Sequence, residues 1–80
     1  MEEQIKLLYE TGVEHRRNSR FGDAINAYEE AAALAEKAAA SCSSDSAERR
    51  EYLDFAVKSR ASAELIREIN AFVNTDLMNP

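Results

Sequence analysis

Cysteine is nearly missing from this chain of 80 residues: Cys42 stands alone. No disulfide can close within it, and a reducing compartment is the natural expectation. One proline, Pro80, and two glycines, Gly12 and Gly22, leave long stretches with nothing to break a helix. Tryptophan is absent, and three tyrosines with three phenylalanines make up the whole aromatic content. The core must therefore be thin. Basic residues form no block. Arg16, Arg17 and Arg20 are the one cluster, Glu10 and Glu14 lie beside it, and the net charge is −5. The electrostatic footprint of nucleic-acid binding is missing, so no nucleic-acid partner is expected. No apolar run approaches the ~20 residues of a membrane span, and the acidic start from Met1 to Gln4 is unlike a secretory signal. No membrane insertion is expected, and the cytoplasm is the default location.

Catalytic equipment is equally sparse. His15, the single histidine, lies at the edge of an apolar helical face, where packing is its ordinary role. One histidine and one cysteine in separate elements are too few for a zinc site. No cation adjoins Cys42 in sequence to activate its thiol. The carboxylates recur at helical spacing among bases, as on a solvated face, and there is no phosphate loop, nucleophile elbow or calcium loop. The expectation is a non-enzymatic protein without metal or cofactor.

What the chain does have is alanine and charge in helical register. From about residue 2 to 17, Ile5, Leu8, Tyr9, Gly12 and Val13 share one face, with Glu3, Glu10 and Glu14 opposite. Asn18 and Ser19 then favour a turn. A second helix over about 21–40 carries Ala24, Ala27, Ala31, Ala35 and Ala38 as a stripe, flanked by Ile25, Tyr28 and Leu34. Its apolar arc is wide enough for neighbours on two sides, which makes it the middle helix. Residues 41–46 form a serine-rich loop. Asp45 with Glu48 fits a capping box for the next helix, and Ser46 is the rival cap. The third helix spans about 47–74, with Tyr52, Phe55, Ala56, Ala63, Ile66 and Val73 on its main apolar face. Arg50, Asp54 and Lys58, and separately Arg60 and Glu64, are spaced for i,i+4 pairing on its surface. Short connections favour antiparallel neighbours. The expected fold is all-α: one domain over 1–80, an up-down-up three-helix array whose long C-terminal helix overhangs the other two.

Residues 8–34 carry a further pattern. Leu8 and Gly12 are a large and a small residue on the first helix. Ala24, Tyr28, Ala31 and Leu34 follow on the second at the spacing of a tetratricopeptide repeat, which this segment resembles. It departs from that repeat at Thr11, His15 and Ser19, and no proline closes the unit. The resemblance covers about a third of the chain, and no second copy fits residues 45–80. It implies that the first helix faces a ligand, with Tyr9, Val13 and Arg16 as peptide-binding positions. The whole chain is also similar, less specifically, to the MIT domain, a three-helix module of trafficking proteins. Tyr52, Arg60, Ala61, Leu65 and Ile66 carry that likeness to its last helix. It implies an adaptor that binds a short helical peptide in an interhelical groove.

The third helix holds a second stripe. Ala61, Leu65 and Phe72 fall roughly opposite Tyr52, Phe55, Ala63 and Ile66, with Ile69 between the two. Only one face of this helix can touch the other two. Unless Leu77 and Met78 fold back over it, the second stripe is an interface. The expected function is a protein-interaction or assembly module, a homodimer joined through Ala61, Leu65, Ile69 and Phe72. The alternative is an MIT-like adaptor for a protein or peptide partner.

Overall fold

The computed structural model describes residues 2–78, with side chains to residue 69. It contains α1 (Glu2–Arg17), α2 (Phe21–Ala40) and α3 (Ala47–Met78). Among the described residues there is no strand, and the fold is the expected all-α three-helix array. The central α2 packs against both α1 and α3. With 32 residues, α3 is about 48 Å long against about 30 Å for α2, so it overhangs. It runs unbroken through residues 59–62 and on to Met78, four residues beyond the expected end. Leu77 is therefore still within the helix, and the chain does not turn back there toward Leu65.

The ends of the helices follow from local chemistry. The Ser19 amide donates to the Arg16 carbonyl at 3.1 Å, and the Arg20 amide to the His15 carbonyl at 2.8 Å. These are the two bonds of a Schellman motif, which needs a left-handed residue between them. Ser19 occupies that place at φ 60°, where glycine would carry no steric cost. At the start of α3 the cap is Ser46. Its hydroxyl oxygen accepts the Arg49 amide at 3.1 Å, while its proton goes to the Ser43 carbonyl at 2.9 Å. The capping box expected from Asp45 and Glu48 does not form. A turn closed by the Ser46 amide on the Ser43 carbonyl delays the helix by one residue, and the position three beyond Ser46 is then Arg49.

Alanine spacing decides the packing. Ala24, Ala27, Ala31, Ala35 and Ala38 are all buried, and so are Ala32 and Ala39, giving α2 an inner face broad enough for two neighbours. One cluster joins Ile5, Ala31, Ala35 and Ala56, with Leu8, Leu34, Tyr52 and Phe55 around it. The other joins Ala24, Tyr28, Ala63 and Ile66, with Val13, Phe21 and Ile25 at its margin. Tyr9 borders both. Gly12 lies flat against Tyr28. A methyl group added at Gly12 would come within 2.9 Å of Cδ1 and Cε1 of that ring. So the small residue on α1 accommodates an aromatic ring of α2. Ser59 is fully buried on α3, and its hydroxyl has no hydrogen-bond partner among the described residues.

Two of the surface ion pairs cross between helices, and both join α3 to α2. Arg60 binds Glu36 on α2 in place of the expected Glu64. Arg67 binds Glu29 on α2 and lies 3.7 Å from Glu64. The hydrogen bond to Glu36, and then its charge, raise the pKa of the Arg60 guanidinium. Lys58 sets its ammonium 4.9 Å from the centre of the Tyr9 ring instead of pairing with Asp54. Two ion pairs thus fasten one edge of α3 to α2. Half exposed as they are, they add direction more than stability.

Candidate interaction surface

Of the residues first expected to face a peptide, Tyr9 and Val13 are half-buried. Tyr9 stands 5.1 Å from Tyr28 and 5.3 Å from Phe55, centroid to centroid, with Lys58 over its ring. Val13 packs against the cluster formed by Ala24, Tyr28, Ala63 and Ile66. Arg16 alone of the three is exposed. Its guanidinium interacts with the buried Tyr28 hydroxyl, whose pKa is raised by burial and by Tyr9, and lowered somewhat by Arg16. The structure brings Tyr9 and Val13 together, but in the seam between α1 and α3.

The outer side of α3 is different. Leu53 is 40 % exposed, Val57 69 %, Leu65 46 % and Ile69 45 %, and Ala61 is exposed among them. These five residues are spaced four apart without a break. Residues four apart on a helix form a continuous ridge inclined to its axis. With ~1.5 Å of rise per residue, this ridge runs about 24 Å. Its centre, from Val57 through Ala61 to Leu65, lies opposite the face that buries Ala56, Ser59, Ala63 and Ile66. Charged residues border it on both sides: Arg50, Asp54 and Lys58 on one, Arg60, Glu64 and Glu68 on the other. Ala61, Leu65 and Ile69 were identifiable from the sequence. Leu53 and Val57 were not singled out there, although a search at period four would have found them. Phe72, the fourth expected interface residue, and Val73 lie outside the described side chains.

Two depressions accompany the ridge. At the end where α1 and α3 both begin, a cleft of about 440 Å³ is floored by Ile5, Tyr52 and Phe55 and rimmed by Glu2, Lys6, Glu48 and Glu51. Burial raises the pKa of Tyr52 first, and the charges of Glu2, Cys42, Glu48 and Glu51 add to it. A shallower groove between α1 and α2 is lined by Gln4, Leu7, Leu8 and Leu34, and there Leu7 is 63 % exposed.

The remaining sequence candidates lie apart from these surfaces or at their edge. His15 is half-buried near the end of α1. Cys42 is a free thiol just beyond α2 and donates to the Ala38 carbonyl at 3.3 Å. Among the described residues no three metal-binding side chains gather, and no helix is long and apolar enough to cross a membrane. No protein-family model matches this chain, and neither a curated protein nor a solved structure shows significant similarity to it.

Proposed function

We propose that the chain is a non-enzymatic assembly module that pairs with a second copy of itself through the outer ridge of α3. The observation that carries this reading is the unbroken series Leu53, Val57, Ala61, Leu65 and Ile69, exposed opposite the buried face of the same helix. Ridges of this inclination interdigitate when two helices cross at about −50°. The smallest of the five sits in the middle, where crossing backbones come closest. That arrangement suits a two-fold axis near Ala61, with Val57 of each copy beside Leu65 of the other. A contact through one helix ridge is small, and association in the micromolar range is expected. A reducing cytoplasm, in which Cys42 stays a thiol, is the compartment that fits the chain. The tetratricopeptide-like spacing of Gly12, Ala24, Tyr28 and Ala31 supports an interaction role, since such hairpins serve as scaffolds for protein contacts.

Sedimentation over a wide concentration range tests the proposal. The parent should pass from monomer to dimer, and Leu65→Glu should remain monomeric with an unchanged helix signal. A parent that stays monomeric at millimolar concentration refutes it. A Leu65→Glu protein that still dimerises moves the contact elsewhere, with the Leu7 groove next in line.

A further inference from the structure

The end cleft between α1 and α3 lies outside the α3 ridge and has chemistry of its own. Its floor is apolar, from Ile5, Tyr52 and Phe55, and its rim holds three carboxylates against one ammonium. Lys6 lies 3.6 Å from Glu2 and offsets that charge in part. Glu48 and Glu51 take part in no ion pair among the described residues. Glu48 lies in the first turn of α3, where the helix dipole favours an acid. Glu51 lies beyond that turn, so the dipole does not account for it. Glu2, Glu48 and Glu51 all line this one cleft. The volume, about 440 Å³, is at the lower end of the range for ligand pockets.

We infer that this cleft is the anchor site for an arginine side chain carried by a segment of a partner protein. Arginine satisfies both halves of the cleft. Its aliphatic stem covers the rings of Tyr52 and Phe55, and its planar guanidinium offers paired donors to Glu48 and Glu51. The aromatic floor adds a cation–π attraction. An acidic or phosphorylated segment meets repulsion from the same carboxylates, and a purely apolar one leaves them without a counter-charge.

The test uses a capped alanine-rich helical peptide of about 15 residues bearing leucine and two arginines on one face, beside the same peptide with citrulline for arginine. The Leu65→Glu protein is the titrated form, so that the outcome does not depend on self-association. The arginine peptide should shift the amide resonances of Ile5, Tyr52 and Phe55, and it should bind about tenfold more tightly than the citrulline peptide. Glu48→Gln with Glu51→Gln should remove that preference. Glu10→Gln with Glu30→Gln, an equal change in net charge elsewhere on the surface, should keep it. The inference is overturned if no binding occurs, if the citrulline peptide binds equally well, or if both double variants weaken binding alike. Shifts spread over the acidic surface instead of the cleft also overturn it.

Discussion

Gly12→Ala sets two physical effects against each other, and the packing on Tyr28 decides the sign. Alanine in a helix interior is favoured over glycine by about 0.5–1 kcal/mol, so on propensity alone the variant is more stable. The added methyl, however, comes within 2.9 Å of two carbons of the Tyr28 ring. That ring is only 1 % exposed and is hemmed in by Tyr9, Ala63 and Ile66, so it has nowhere to retreat. Overpacking of this kind costs about 1–3 kcal/mol, which leaves a net loss of about 1 kcal/mol. In a domain of this size that is a fall in melting temperature of about 4–8 °C. Gly22→Ala is the internal control, since nothing lies within 4 Å of the methyl it adds on α2. Thermal unfolding followed by circular dichroism should show Gly12→Ala melting below the parent, and Gly22→Ala at or above it. If both variants melt higher, α1 does not press its glycine against Tyr28, and the account of the α1–α2 contact fails.

Ser19→Gly should stabilise by roughly 1 kcal/mol in chemical denaturation, because it relieves a left-handed serine; a loss of stability would show that the φ of 60° is not strained. Ser59→Ala should be neutral or stabilising by up to about 1 kcal/mol, since it removes a buried hydroxyl that has no partner; a marked loss would reveal a hydrogen bond that the structure does not show. Tyr28 and Tyr52 both have raised pKa values, so phenolate absorbance should place their ionisation above the ordinary value near 10. The folded state then holds these protons more tightly than the unfolded chain does. The resulting stability is complete below about pH 10 and is lost as pH rises through the folded values. Tyr28→Phe should flatten that alkaline decline, and an unchanged slope would mean that the buried Tyr28 hydroxyl is not its source.

The fold was largely legible because its determinants are local or periodic. The alanines of α2 at spacings of three and four announced a helix with two neighbours, and the scarcity of glycine and proline announced the unbroken α3. What the sequence concealed is rotation and contact. Tyr9 and Val13 sit on a face that a tetratricopeptide hairpin would leave open, and only the structure shows that side chains of α3 half-bury it. Arg60 and Lys58 had partners in sequence, yet they turned to Glu36 and Tyr9 on neighbouring helices. The choice between Asp45 and Ser46 as cap rested on one turn bond, which no spacing rule contains. On α3 Ala61, Leu65 and Ile69 stood out from the core face in sequence but Leu53 and Val57 did not, because a ridge at period four winds around the helix. The end cleft was invisible from sequence, since it joins Glu2 and Ile5 to Glu48, Glu51 and Tyr52 from the far side of α2.

Cross-linking at the centre of the ridge tests the assembly proposal most directly. In a Cys42→Ser background, Ala61→Cys places one thiol where the two copies should cross. Mild oxidation should convert most of that protein to a disulfide-linked dimer, because a close crossing brings the two Cα atoms within the ~4.4–6.8 Å a disulfide requires. Glu10→Cys, on the exposed side of α1, should remain monomeric under the same conditions. Equal cross-linking at both positions, or none at Ala61→Cys at concentrations where sedimentation shows a dimer, would contradict pairing through α3.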